Sequence, residues 1–292
     1  MRLPHFSYYA PVTLDEACRL LAEHGREASP LAGGTDLLVK MKHRRIVPKV
    51  IVDLKRISGM DAISYDPGGG LRVGALVTIQ TLKNSVVVKR NCKMLASAAG
   101  VESSVQIRNV ATIGGNIANA SPAADAPLAL IALGAFLALE RSGNSRRILL
   151  EEFFTGPGKT VLQAGEMIRE VCIPPLPPRS GGAYLKHALR RTDIAIVSAA
   201  VFVKLDEDMC QDIRIALGSV APTAIRTKGA EGILRSERIT PELVEKAAQT
   251  AMKECHPIDD IRGYAEYRAK TVCDIVQQAI AEAVRDARLG GI

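Results

Sequence analysis

Residues Ala111 to Pro127 read ATIGGNIANASPAADAP. Two adjacent glycines, two asparagines and one acid, Asp125, share a stretch with no cation. Glycine lets a backbone come close to a ligand, and free amide N–H groups in a nest or at a helix start bind anions. The same residues also suit a plain turn before an apolar helix expected over Leu128–Leu133, with Asp125 as its N-cap. Taken alone, the stretch leaves both readings open. A second Gly-Gly pair stands 81 positions earlier (Gly33 against Gly114), in PLAGGTDLLVKMK, Pro30 to Lys42. It too is either a phosphate nest or a tight strand-to-helix turn, with Thr35 as N-cap. Neither stretch is GxGxxG or GxxxxGK[ST], so a dinucleotide Rossmann fingerprint and a P-loop are both unsupported. Two glycine-paired loops, each with a threonine at hand, suit a ligand whose pyrophosphate is held from two sides.

The rest of the 292-residue chain sets the frame. At 47% hydrophobic and 24% charged it has enough apolar sequence for a full core and two or three domains. The N-terminus has no apolar segment of the secretory kind, and the longest apolar run, Ala126 to Leu139, is interrupted by Pro127 and Gly134. No membrane span and a cytoplasmic location are therefore expected. The net charge of +7 and the cluster KMKHRR (Lys40–Arg45) raise nucleic-acid binding, but tryptophan is absent and aromatics make up only 4%. A solvated helix end is the plainer reading of the cluster. The six cysteines (Cys18, Cys92, Cys172, Cys210, Cys255, Cys273) include no CxxC pair. They read as reduced core residues, not as zinc or iron–sulfur ligands.

Local patterns suggest helices over Asp15–His24, from Thr35 or Asp36, from Thr78, and over Lys93–Ala99. Strands are expected over VPKVIVDL and Leu71–Ala75, and a hairpin from Ala135–Glu140 and Arg147–Leu149. IPPLPPRSGG (Ile173–Gly182) is the strongest linker signal. Beyond it, Tyr184–Leu189, Ile194–Leu205 and Cys210–Ser219 read as strands, or as a helix between strands. Gly229–Ser236, Pro241–Glu254 and Ile261–Leu289 read as amphipathic helical segments. The expected parts are residues 1–54, 55–178 and 179–292.

Hydrolytic chemistry finds no footing: there is no HExxH or GxSxG, and the five histidines are dispersed. Glu151 and Glu152 are neighbours whose side chains point apart, and they are expected to be solvated. Lys186, His187, Arg190 and Arg191 are either a charged strand edge or cations facing an electron-rich cofactor, whose reduced, anionic ring a positive charge would stabilise.

The two glycine loops together resemble the two flavin-binding motifs of the FAD-binding (medium) subunit of the molybdenum hydroxylases, of the xanthine dehydrogenase and carbon monoxide dehydrogenase type. The resemblance continues through GEMIREVCIPP and YLKHALRRTDIAIVSAAV to the C-terminal helices, in the same order. It implies an α+β fold: a two-subdomain FAD-binding sandwich of the PCMH/VAO-like type, followed by a C-terminal α+β domain. It implies that Ala32, Gly33, Gly34, Thr35 and Asp36, with Leu37, grip the FAD pyrophosphate through backbone amides, and that Thr112, Ile113, Gly114, Gly115 and Asn116 form the other half of the grip. Asp125 then corresponds to the acid holding the adenosine part or its ribose, Ile168 to an apolar wall, and Lys186 to a lysine near the flavin ring. Asp193 matches a recurrent position with no role assigned. Valine at Gly114 or Gly115 is accordingly expected to abolish FAD retention without unfolding the chain.

The resemblance also implies a heterotrimer that further dimerises, in which a small subunit carries [2Fe–2S] clusters and a large subunit carries the molybdenum–pterin cofactor. This chain would take electrons from the clusters onto FAD and pass them to NAD, a quinone or oxygen. No additional cluster is expected here. The alternatives are a self-contained FAD oxidoreductase of the same sandwich fold and a basic anion- or nucleic-acid-binding module.

Overall fold

The computed structural model describes residues 2–291. Strands β1 (Ser7–Tyr9), β2 (Ala28–Leu31) and β3 (Val50–Asp53) form a parallel sheet in the order β1-β3-β2. Helices α1 (Leu14–His24) and α2 (Leu37–Lys42) make the crossovers. The α1 boundaries follow from sequence: the Thr13 side chain accepts from the Glu16 amide, and Gly25, at φ 49°, ends the helix. Helix α2 begins at Leu37, after Asp36, and no side chain caps it, so Thr35 is not its N-cap.

The second sheet is antiparallel and has the order β4-β5-β10-β6-β7. Its members are β4 (Ile63–Asp66), β5 (Gly70–Gly74), β6 (Phe136–Arg141), β7 (Asn144–Leu149) and β10 (Met167–Ile173); β8 (Phe154–Gly156) and β9 (Lys159–Thr160) make a separate small hairpin. The β6–β7 hairpin forms about Ser142-Gly143 as expected. The helices here are α3 (Ile79–Asn84), α4 (Val86–Asn91), α5 (Lys93–Val101), α6 (Val105–Arg108), α7 (Ile113–Ala118) and α8 (Asp125–Ala132). Helix α8 starts three residues before the expected Leu128, and all eight of its residues are buried. A helix apolar on every side belongs in an interior. Asp125 is its first residue, with Ala124 in the cap position, so Asp125 is not the N-cap.

The third sheet, order β11-β12-β13-β14, holds β11 (Ser180–His187), β12 (Val197–Asp206), β13 (Met209–Gly218) and β14 (Ile225–Arg226), all antiparallel. The segments after the linker are thus strands, and the sheet has no helix between them. Ser180, Gly181 and Gly182 lie inside β11, so the linker is shorter than its composition suggested. Helices α9 (Lys228–Leu234) and α11 (Ala265–Arg288) cover this sheet, and α10 (Pro241–Glu254) packs on both helices.

Alternation in β12 and β13 shows what the third sheet does. Ala200, Phe202 and Ala216 join the core of the first two sheets. Ala199, Val201, Val203, Ile213, Ile215 and Leu217 join a separate core under α10 and α11. Side chains of a strand alternate between its faces, so this sheet is a wall with a core on each side. Five cysteines are buried and Cys273 is half-buried, all unpaired. Burial pushes the Cys18 and Cys172 thiols up to about 11 and those of Cys92 and Cys210 up to about 12, which keeps them unreactive. Glu151 is not fully solvated: it pairs with Arg226 at 3.1 Å.

Candidate functional site

Every position expected to hold the cofactor, except Ile113, lines one cavity of about 650 Å³. That volume is in the range of small-molecule and cofactor pockets. Ile113 is fully buried in the core beneath it. The cavity draws on all three parts of the chain: the loop before α2, the start of α7 and α8, Ile168 on β10, and Lys186 on β11. Asp193 also lines it, on the loop between β11 and β12.

The two glycine loops differ in what they offer. In the first, the amides of Gly33, Gly34, Thr35 and Asp36 have no hydrogen-bond partner among the described residues. Gly34 sits at φ +75°, a left-handed conformation that favours glycine. This is a nest able to receive a phosphate. In the second, Ile113 N donates to Val77 O (2.9 Å), Gly114 N to Ala75 O (2.9 Å) and Asn116 N to Thr112 O (2.9 Å). The Gly115 amide donates to Thr112 Oγ1 at 3.1 Å, with Thr112 as N-cap of α7. The stretch expected as a loop is therefore a helix start whose amides are engaged internally.

Its glycines serve packing as much as access. A Cβ on Gly114 would meet Ala75 Cβ at 2.6 Å and Ala75 O at 2.7 Å, both on the protein side. Valine there is expected to strain the fold as well, so the loss of FAD would not be selective. Gly115 is exposed to the cavity, and only Thr112 Oγ1, at 2.9 Å, stands near its missing Cβ.

Elsewhere in the lining, Lys186 Nζ meets Asp125 Oδ2 at 2.9 Å, with the side chains 5% and 6% exposed. Lys186 also donates to Val101 O at 3.2 Å. The Tyr184 hydroxyl donates to the other Asp125 oxygen. Burial pushes the Asp125 carboxyl up, and Lys186 and Tyr184 oppose that. Burial and the Asp125 carboxylate push the Tyr184 phenol up. Lys186 and Asp125 are therefore one ion pair at one place, and both Asp125 oxygens are engaged by protein donors.

Sequence reading missed several residues. Lys40 lines the cavity, and its Nζ donates to Asn119 Oδ1 at 2.7 Å, while Asn119 Nδ2 donates to Asp36 at 3.0 Å. Of the basic cluster, only Lys40 reaches the cavity; Lys42, His43, Arg44 and Arg45 are exposed outside it. Helical spacing from the nest could have picked out Lys40, which lies one turn after Asp36. Lys40 places a half-buried cation, held by Asn119, in the same cavity as the free amides. Lys40→Ala is expected to weaken FAD binding by about 1 kcal/mol, roughly fivefold, with the difference shrinking as salt is raised. Fluorescence titration of the flavin at two ionic strengths checks this. Glu102, beside the expected Asn116, also lines the cavity, and local sequence gives no sign that it is buried.

The free nest, the Lys40 cation and the apolar Ile168 wall fit a flavin dinucleotide. Residues 4–176 match the FAD binding domain in molybdopterin dehydrogenase, and residues 182–283 match the CO dehydrogenase flavoprotein C-terminal domain. The chain belongs to the FAD-binding medium-subunit family of the molybdopterin dehydrogenases. Members of this family that it resembles include the carbon monoxide dehydrogenase medium chain of Hydrogenophaga pseudoflava, 35% identical over 95% of this chain and 96% of that one. Another is the putative xanthine dehydrogenase FAD-binding subunit of Escherichia coli K12, at 31% over 96% and 97%. Among solved structures, carbon monoxide dehydrogenase from H. pseudoflava superposes with a TM-score of 0.94 at 35% identity, covering 97% of this chain and 98% of that one. Quinoline 2-oxidoreductase from Pseudomonas putida 86 gives 0.92 at 31%, covering 98% and 99%. FAD is the cofactor of this flavoprotein family, and the chain is an oxidoreductase subunit. Among the described residues, no helix is long and apolar enough to cross a membrane, and no group of His, Cys, Asp and Glu is placed to hold a metal ion.

Proposed function

We propose that the chain is the flavin-bearing component of a multi-subunit molybdenum hydroxylase. In this reading it receives electrons from an iron–sulfur subunit and releases them to NAD, a quinone or oxygen, while substrate is oxidised on a molybdopterin subunit. The observation that carries the reading is the cavity itself. A free amide nest, Lys40 and the buried Lys186–Asp125 pair, which Tyr184 supports, line it in a chain with full-length likeness to medium subunits.

Each residue has a distinct task in this proposal. The amides of Gly33 to Asp36 and the Lys40 ammonium bind the diphosphate. Ile168 excludes water from one face. Lys186 supplies a fixed positive charge within the cavity wall, partly neutralised by Asp125. Bound FAD would supply the capacity to accept a pair of electrons and release them; the chain's own side chains position it and set its electrostatic surroundings. Thr35, Thr112 and Asp193 are among the further polar residues of its lining.

The test is to isolate the full chain alone and from its native source. Alone, it should be yellow, release one FAD per chain on denaturation and carry no iron. From its source, it should co-purify with one iron-containing and one molybdenum-containing chain. Stoichiometric iron on the isolated chain, or a native form with no partners, would overturn the division of cofactors.

A further inference from the structure

Glu102, the residue capping the C-terminal end of α5, is 8% exposed and lines the cavity. Its Oε1 accepts from Asn116 Nδ2 at 2.8 Å. Its Oε2 has no partner, and neither has Asn116 Oδ1. Both orphans are acceptors while the carboxyl is ionised, and buried acceptors without donors are costly. One proton on Glu102 answers this: it makes Oε2 a donor, the chemistry that an amide oxygen lacks.

The surrounding charge points the same way. Asp125 at the start of α8 and Asp36 before α2 disfavour a second negative charge at Glu102. Lys186 on β11 and the Ala126 amide on α8 favour it, but Lys186 is already paired with Asp125. The Arg108 guanidinium on α6 is directed elsewhere, to Glu102 O (2.9 Å), Ser103 O (2.6 Å) and Gln80 Oε1 (3.0 Å). Tyr184 on β11 serves Asp125. One lysine thus faces two buried carboxyls. Burial, then Asp125, pushes the Glu102 carboxyl up to about 8.

We propose that Glu102 is a proton-bearing residue of the cofactor cavity, and that its neutral form is the one that accepts FAD. FAD brings a dianionic diphosphate into a cavity already holding Asp125 and Asp36. An ionised Glu102 would add like charge and keep its Oε2 a buried acceptor without a donor. Binding then selects the protonated protein, and apparent affinity scales with its fraction. The inference rests on FAD as the occupant.

The experiment is FAD titration of the full chain, stripped of flavin, from about pH 6 to about pH 9.5. For the parent, affinity should be flat at the lower end and fall about tenfold per pH unit above about pH 8. Glu102→Gln, near-isosteric and permanently neutral, should bind with a flat profile throughout. A flat parent profile, or an unchanged slope in Glu102→Gln, would overturn the proposal. Failure of the parent to bind FAD at any pH would instead overturn the choice of ligand, and a folded Glu102→Gln that binds none while the parent binds would overturn the proposal. If Glu102→Gln does not fold, calorimetry of the parent at about pH 9 in two buffers of different ionisation heat decides. Different heats show proton uptake on binding, and equal heats reject it.

Discussion

Lys186→Met is expected to destabilise the full chain by about 3–5 kcal/mol, because it strands a buried carboxylate. The melting midpoint should fall by on the order of 10 °C. Asp125 would keep only the Tyr184 hydroxyl, with Glu102 nearby. The sign of the pH dependence follows. With its cation gone, Asp125 holds a proton more tightly when folded than when unfolded, since burial already pushes it up. Acid then favours the folded form, so the deficit should shrink as pH is lowered from 7.5 towards about 5. Lys186→Met with Asp125→Asn should recover much of the loss, because removing a buried pair costs far less than breaking one. Thermal melts of the three proteins at two pH values test this. A double variant that melts below the single one would show that the pair is not the cause.

Gly33→Ala should be nearly as damaging. A Cβ there would stand 1.9 Å from Val110 O and 2.9 Å from Ala111 Cα. Both are backbone atoms of the segment leading into α7, so neither side can yield cheaply. The two loops must separate, at a cost of about 3 kcal/mol, with FAD lost in the same step. Gly34→Ala is the instructive neighbour. Its obstacles are the flexible ends of Leu31 and Leu38, which can yield, so the cost is mainly that of its φ of +75°, about 1–2 kcal/mol. Urea denaturation, together with flavin retained after gel filtration, separates the two outcomes. Equal stability of Gly33→Ala and the parent would mean that the loops do not touch at this point.

Much of the fold was legible because local chemistry agreed with it. The α1 boundaries, the β6–β7 hairpin and Pro241–Glu254 all carry caps, turns or periodicity where the structure needs them. Other elements were set by tertiary context. Helix α7, IGGNIA, contains poor helix formers, and it is held by Thr112 and by contacts to Val77 and Ala75. Strand β10, central to its sheet, mixes charged and apolar residues and was visible only as part of a resemblance. In the site, the glycine motifs announced the cavity, but not that one offers free amides and the other does not. Lys40 was hidden within its basic cluster. Glu102 is unusual only because Asn116 and Asp125, distant from it in the chain, fold against it.

The third sheet reaches back to the cavity through Lys186, with Tyr184 behind it on Asp125, and its seat has further ties. Gly182 N donates to Asp286 at 3.1 Å, and Asp286 also pairs with Lys93 on α5 at 2.9 Å. Gly181 lies so close to α11 that a Cβ would meet Ala283 O at 2.3 Å. The final helix therefore fastens the very strand that bears the Lys186 charge. Cofactor residence time becomes a property of the C-terminal third of the chain: loosening the Asp286 tie should speed flavin escape without altering any residue of the phosphate nest. Reciprocally, bound flavin should slow that third's detachment, acting as a bolt between two halves of one polypeptide.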